Sequence, residues 1–353
     1  MDRQLATLSE SYRAAWDQYV DRHPGSTFYH SSKWLRLLEE TFGYKQRSLL
    51  LLEGNRVVGV LPLLQVNGIV GKRLVSSPFR DRGGVLVDAD IDPMILCEEA
   101  ISLCRSGRYR HLLIKQGDPL RHADVERCRL IERKYWVTTT IDLSVGAECI
   151  WKKLKNNAQG PVKQASKQGI HVQRCCDEQG VEVFYDLFLE NRRSLGTPAF
   201  PRAFFTGIWR AFDPGGKAVL MLAYKENTVL GGILLLVHNQ TVIDGYAASR
   251  TEYRGYRPND LLVWKAIEWA AGNGYRIFDF GADSPKQNHL LAFKRKWTGI
   301  HRSMHHYVYL HKDRTYMEMD NSNERYRKIR SGIAKMPKPV FRIFSDLTVA
   351  RFG

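Results

Sequence analysis

Lys217-Ala-Val-Leu-Met-Leu-Ala-Tyr-Lys-Glu-Asn-Thr-Val-Leu-Gly-Gly-Ile-Leu-Leu-Leu-Val237 reads as strand, turn, strand, with two aliphatic runs flanking a polar turn at Lys225 to Asn227. The same design stands earlier, in Arg47-Ser-Leu-Leu-Leu-Leu-Glu-Gly-Asn-Arg-Val-Val-Gly-Val-Leu-Pro-Leu-Leu-Gln65, which turns at Gly54-Asn55. Each carries a Val-[Val/Leu]-Gly step just after the turn, so Gly59 and Gly231 permit a bulge or a close backbone approach. The elements downstream of each hairpin match as well: a further strand (Arg73 to Ser77; Thr241 to Ala247), a loop rich in Arg and Gly, a helix, and a closing strand (His111 to Lys115; Arg276 to Phe280). A helical region precedes each hairpin, Ser31 to Glu40 and Val181 to Ser194. The pattern predicts a duplicated β-β-β-α-β unit, α+β in class, with mixed sheets.

A chain of 353 residues is long enough for about two domains of ordinary size. Hydrophobic content of 44% beside 25% charged residues excludes wholesale disorder. Lys and Arg number 53 against 37 Asp and Glu, and the resulting charge of +16 favours polyanionic partners: RNA, phosphorylated carriers or an anionic membrane surface. The longest apolar run, Val229 to Val237, is interrupted by Gly231-Gly232 and is too short to cross a bilayer. The N-terminus lacks a basic stretch leading into an apolar one, so a cytoplasmic location is expected. The six cysteines form no C-x-x-C pair and no ligand spacing with histidine, so no metal site is expected.

Between the two repeats, Val145 to Val172 reads as a pair of short basic helices broken at Gly160-Pro161. Lys152, Lys153, Lys155, Lys163 and Lys167 face only Glu148 as an acid, which suits either a solvated connector or a phosphate-facing surface. From Asn323 to Gly353, Arg325, Arg327, Lys328, Arg330, Lys335, Lys338, Arg342 and Arg351 interleave with Ile329, Ile333, Val340, Phe341, Ile343, Phe344, Leu347, Val349 and Phe352. Such a segment either lies in an anionic membrane interface or packs on the protein itself.

The second repeat holds the chemistry-bearing stretch. Strand Thr241-Val-Ile-Asp-Gly-Tyr-Ala-Ala-Ser-Arg250 feeds the loop Thr251-Glu-Tyr-Arg-Gly-Tyr-Arg-Pro-Asn-Asp260, which opens a helix from Leu261 to Ala271. A helix start of this kind attracts phosphate through its free amides and dipole, and Arg254 and Arg257 add charge. Pro258 pre-sets the first turn, and Asp260 favours the helix start.

This order of elements resembles the GNAT (N-acetyltransferase) fold, whose corresponding loop cradles the pyrophosphate of coenzyme A. At the two glycine positions of that family's loop this chain has Arg257 and Asn259, which argues against ordinary coenzyme A binding there. Leu187 to Phe205, Ala247-Ala-Ser249, Pro258-Asn-Asp-Leu-Leu262, Gly274 to Gly281 and Ala292-Phe-Lys-Arg-Lys-Trp297 resemble, in this order, the FemAB-like tandem GNAT proteins. The resemblance is nearest to those accompanying exosortase and exopolysaccharide loci, and it covers nearly the whole chain. It implies a GNAT-like domain over 1–144, a basic helical connector over 145–172, a second GNAT-like domain over 173–312 and a basic amphipathic segment over 313–353.

The resemblance also assigns residues. Lys294 matches the lysine of the family's Phe-Lys motif and takes the electrostatic role in catalysis; Asp279 accepts a proton or orients the amine, or else caps the following turn. Arg192, Arg193, Thr197 and Pro198 form a loop able to meet an acceptor phosphate or sugar, or a structural brace. Ser249, Tyr256 and Asn259 complete the substrate-binding set, and Arg254 and Arg257 face the donor phosphate.

Relatives transfer an amino acid from aminoacyl-tRNA to the stem-peptide amine of a peptidoglycan precursor, and others act on saccharide-linked groups. The expectation is an acyl- or aminoacyltransferase that holds no cofactor tightly and takes aminoacyl-tRNA or acyl-CoA as donor. Its acceptor is an amine of a lipid- or nucleotide-linked glycan or peptidoglycan precursor. It works in the cytoplasm, at the inner face of the membrane if residues 323–353 bind there. An acyl-CoA-dependent exopolysaccharide acyltransferase and a non-catalytic RNA- or membrane-binding adaptor are the competing readings.

Overall fold

Both predicted hairpins form, and both bulge at the same step. The computed structural model describes residues 3–68, 71–311 and 324–353. Its strands are β1 (Arg3–Thr7), β2 (Lys45–Gln46), β3 (Leu49–Glu53), β4 (Arg56–Leu61), β5 (Leu64–Gly68), β6 (Gly71–Val75), β7 (Leu86–Val87), β8 (His111–Gly117), β9 (Ile131–Asp142), β10 (Ile170–Arg174), β11 (Ala218–Lys225), β12 (Thr228–His238), β13 (Thr241–Ser249), β14 (Ile277–Asp283) and β15 (Ile300–Leu310). The helices are α1 (Arg13–Arg22), α2 (Ser32–Phe42), α3 (Met94–Ser106), α4 (His122–Arg127), α5 (Ala147–Lys153), α6 (Asn156–Lys167), α7 (Glu178–Ser194), α8 (Arg202–Phe212), α9 (Pro258–Gly272), α10 (Asn288–Arg295), α11 (Glu324–Ala334) and α12 (Lys338–Thr348). In the first hairpin Leu51 pairs with Gly59 and Leu52 with Val57, which leaves Val58 unpaired. In the second Ala223 pairs with Gly231 and Tyr224 with Val229, which leaves Leu230 unpaired. The shared offset supports the reading of the chain as a duplication.

The chain forms two compact units, whose bounds differ from the expected domains. Unit 1 comprises residues 1–136, 303–319 and 348–353; unit 2 comprises 137–302 and 320–347. The cause lies in β9 and β15. Residues 137–142 of β9 pair antiparallel with β14 in unit 2, and residues 305–310 of β15 pair antiparallel with β8 in unit 1. Each repeat is thus completed by a strand that follows the other repeat's closing strand in sequence, an exchange that hydrophobic patterning does not reveal.

Unit 1 divides its strands. β1, β3, β4 and β7 form an antiparallel sheet, while β2, β5, β6 and β8 continue with the end of β15. Where unit 2 has the single long strand β12, unit 1 breaks between β4 and β5 at Pro62, which has no N–H to give to a ladder. Its core gathers Leu49, Leu51, Val58, Leu74, Leu96, Leu112 and Tyr307.

Unit 2 keeps the order β10-β11-β12-β13-β14 and then the end of β9, with only the β13–β14 pair parallel. A Cβ on Gly231 would meet Leu262 of α9, and one on the next residue, Gly232, would meet Phe184 of α7. Neighbouring strand residues face opposite ways, so α9 and α7 cover opposite faces of this sheet. Against α9 lie α5 and α6, whose Ile150, Ala158, Val162 and Ala165 are buried in the core of unit 2. The predicted connector is therefore part of the domain. The expected break at Gly160-Pro161 is also absent: α6 runs through Pro161, and the chain turns instead at Leu154-Lys155. Gln159 Nε2 donates to the carbonyls of Trp151 and Leu154 at that turn.

Of the expected C-terminal segment, 312–323 lie outside the described residues, as do the side chains of Glu324, Arg325 and Tyr326. The rest packs on the protein along one side of α12. Phe341 and Ser345 of α12 are fully buried, and Ser345 Oγ accepts from the Ala199 amide. The other side of the helix carries exposed Val340, Ile343 and Leu347.

Candidate active site

The decisive feature of unit 2 is that β13 and β14 part. Their parallel ladder pairs only Thr241 to Ile243 with Ile277 to Asp279, yet β13 runs on to Ser249 beside β12 and β14 to Asp283 beside β9. A fork opens at the carboxyl ends of two parallel strands, the usual place for a ligand in such sheets.

Lys294 closes one arm of the fork. It lies in the last turn of α10 and is only 6% exposed, whereas its neighbour Arg295 points to solvent. Its Nζ donates to the Phe280 carbonyl at 2.5 Å and the Gly281 carbonyl at 3.4 Å, and pairs with the Asp283 carboxylate at 2.6 Å. Three acceptors match the three donors of an ammonium, and one of them is a carboxylate. Asp283, itself buried, escaped the sequence reading. The signal for it was thin: it is the one acid between Asp279 and Lys294.

Asp279 is buried as well, and its Oδ1 accepts from the Thr138 hydroxyl at 3.0 Å and the Gly281 amide at 2.8 Å. Of the roles expected for it, the turn cap is the one its contacts describe. Gly281 has φ of +68°, a left-handed conformation that suits glycine, and its carbonyl is one of those that hold Lys294. Asp279 therefore shapes the arm on which Lys294 rests.

The other arm leads into the Arg-rich loop. Ser249 is buried at the end of β13, and its carbonyl faces Asn191 Nδ2 at 3.5 Å. Tyr256 lies under the ammonium of Lys225, 4.2 Å from its ring centroid. Arg254, Arg257 and Asn259 are exposed, and neither arginine has an acidic partner among the described residues.

Arg257 takes φ of +62° as the residue before α9, so the backbone keeps the left-handed bend that a glycine would adopt, with a side chain added. The start of α9 fits a pyrophosphate cradle poorly. Pro258 removes one amide, and the buried Asp260 already occupies the first turn, where it forms an ion pair with Lys296. This second pair, between residues 36 positions apart, has no signal in the local sequence.

Of the two roles expected for the loop after α7, its contacts describe the structural brace. Arg193 Nη1 donates to the Met336 carbonyl, Arg330 donates to the Leu195 carbonyl, and Gly196 packs on the Arg330 backbone. The Arg192 carbonyl accepts from the Thr197 amide, and its guanidinium lies over Phe188, 4.9 Å from the ring centroid. Pro198 is half-buried in the same turn. Residues 192–199 thus brace α11 and α12, and Arg193 is committed to that brace. The buried Thr197 hydroxyl alone has no partner among the described residues.

Unit 1 contains a counterpart fork, with β6 and β8 paired only at Leu74–Leu112 and Val75–Leu113. Here the loop fills it. Lys115 Nζ donates to the carbonyls of Ser77 and Arg80, the Gly83 amide donates to the Lys115 carbonyl, and the Gln116 amide bonds both ends of Val85. Burial pushes the Lys115 ammonium down to about 7.

Residues 152–295 match the family model of the acetyltransferase (GNAT) domain, a span that holds both arms of the unit 2 fork and ends one residue after Lys294. Among solved structures, FemX aligns with a TM-score of 0.68 at 16% identity, over 88% of this chain and 98% of that one. A tandem GNAT protein from the clavulanic acid biosynthesis pathway aligns with 0.54 at 14% identity, over 88% and 98%. This is a tandem GNAT fold. The C-terminal domain of a provisionally assigned lysylphosphatidylglycerol synthetase from Agrobacterium fabrum shares it, with a TM-score of 0.56 at 12% identity over 84% of this chain and 91% of that one. No curated protein matches the chain in sequence at a significant level. The tandem GNAT fold accounts for the duplicated hairpins and the forked strands, and it is an acyltransferase fold.

Proposed function

We propose that this protein is an acyl- or aminoacyltransferase of the FemAB-like kind whose reaction takes place in the unit 2 fork. The observation that carries this reading is the cation of Lys294, fixed where β14 leaves β13, inside the stretch that matches the GNAT domain. The acceptor amine attacks the activated carbonyl of the donor, a C–N bond forms, and the ester or thioester bond breaks. The amine's proton leaves with the departing oxygen or sulfur. Negative charge on the tetrahedral oxygen is stabilised by Lys294, whose longest hydrogen bond, 3.4 Å to Gly281, is the one most easily exchanged for the oxyanion.

Aminoacyl-tRNA is the donor favoured by the start of α9, because Pro258 and the Asp260–Lys296 pair leave little room for a backbone pyrophosphate cradle. Exposed Arg254 and Arg257 remain available to phosphates of the donor. The acceptor in this reading is a lipid- or nucleotide-linked glycan or peptidoglycan precursor. Exposed Val340, Ile343 and Leu347, beside Arg342 on α12, support docking at an anionic membrane surface where a lipid-linked acceptor resides.

The purified protein should be incubated with charged tRNA or acyl-CoA and with envelope precursors, and the products followed by mass spectrometry. Transfer from charged tRNA is expected. Transfer from acyl-CoA alone would reassign the donor, and binding without transfer from either would make the protein an adaptor.

A further inference from the structure

Unit 1 contains a cleft of about 740 Å³ in the size range of small-molecule sites. One stripe of α3 forms a wall, the end of α4 a second, and the last residues of β15 a third. Arg105 enters from α3, Arg127 and Arg129 from α4 and just beyond it, and Tyr309 and His311 from β15.

The three arginines are not equivalent. Arg127 is balanced by Glu98 at 3.3 Å, Asp124 at 3.6 Å and Asp92 at 3.8 Å. Arg105 donates from Nε to the Tyr309 hydroxyl at 2.8 Å and lies over its ring, 5.3 Å from the centroid, which fixes its guanidinium without neutralising it. Arg129 is exposed and has no acidic partner among the described residues. Its φ is +52°, a left-handed conformation that strains a non-glycine residue. Two guanidiniums without a carboxylate, one held rigid, therefore face a concave space that His311 also lines.

We propose that this cleft binds a phosphate ester of a small molecule, of the nucleoside diphosphate or sugar phosphate class. The charge count decides the class: Glu98, which also lines the cleft, is paired with Arg127, and the two remaining guanidiniums match the terminal phosphate group of such an ester, whose oxygens suit planar N–H forks. Concavity favours a small ligand over a polynucleotide, which would need a basic track rather than a hollow. The site is independent of the unit 2 fork and does not depend on the transfer reaction.

Calorimetric titration of the full chain at low salt, with uridine diphosphate and with inorganic phosphate as probes, tests it. Arg129→Asn keeps a residue that accepts the left-handed backbone, and Arg105→Gln keeps the α3 surface. Each is expected to weaken uridine diphosphate binding about tenfold or more, with unchanged thermal melting. Arg254→Gln with Arg257→Gln, and Lys294→Met with Asp283→Leu, should leave binding intact, so failure here is distinguishable from failure of the transfer reading. Inorganic phosphate binding as tightly as uridine diphosphate would narrow the ligand to its phosphate and retain the site. Unchanged binding in both unit 1 variants, loss in the Arg254/Arg257 variant, or binding of an RNA oligonucleotide with none of uridine diphosphate would overturn the proposal.

Discussion

Lys294 and Asp283 form an ion pair, 2.6 Å between Nζ and carboxylate, with both side chains less than a tenth exposed. Taking two charges out of water is costly, and such a pair is stable only when its remaining hydrogen-bonding capacity is met. The carbonyls of Phe280 and Gly281 meet it on the lysine side. The pair therefore ties α10 to the end of β14 and at the same time sets a fixed positive charge at the fork.

Removing one partner strands the other. Lys294→Met leaves the Asp283 carboxylate buried and is expected to cost about 3–5 kcal/mol of stability by urea denaturation. Lys294→Met combined with Asp283→Leu should recover most of that loss. A double variant as unstable as the sum of its singles would show that the two groups do not interact.

Asp279 separates positioning from proton transfer. Its Oδ1 accepts from both Thr138 and the Gly281 amide, which gives it a positioning role, so Asp279→Asn should slow transfer without moving the pH profile of the rate. Loss of the acidic limb from that profile would instead make Asp279 the proton acceptor.

Arg257→Gly tests the loop before α9. Relief of the left-handed strain at φ +62° should raise stability by roughly 1 kcal/mol, while loss of an exposed cation weakens donor binding. Stability and binding that move together would contradict this account.

Acid should destabilise unit 1. Burial pushes the imidazoles of His111 and His306 down to about 4, below the value of about 6.5 expected in the unfolded chain. Between these values the unfolded state binds more protons, so stability falls as pH drops through that window. Urea midpoints from pH 7 to 4 should show this slope. His306→Gln, which keeps a donor toward the Asp81 carbonyl, should reduce it.

Much of this was legible in the chain. The two hairpins, their bulges and the helix after each Arg-rich loop follow from local patterning, because aliphatic alternation, turn residues and glycine all act over a few positions. Lys294 was found through its motif, not through spacing. The exchanged ends of β9 and β15, and the partners Asp283 and Asp260, depend on contacts between distant segments that no local period encodes. Arg193 illustrates the limit: a basic side chain on a turn reads equally as a ligand-binding group or a brace until the Met336 carbonyl is found against it.

The most direct test of the fork as an acyl-transfer site compares transfer from aminoacyl-tRNA to an envelope precursor by the wild-type chain and by the Lys294→Met/Asp283→Leu variant, once that variant is shown to be folded. The account predicts transfer by the first and loss of at least a hundredfold in the second, in line with removal of one oxyanion-stabilising group. Equal rates for the two would contradict it.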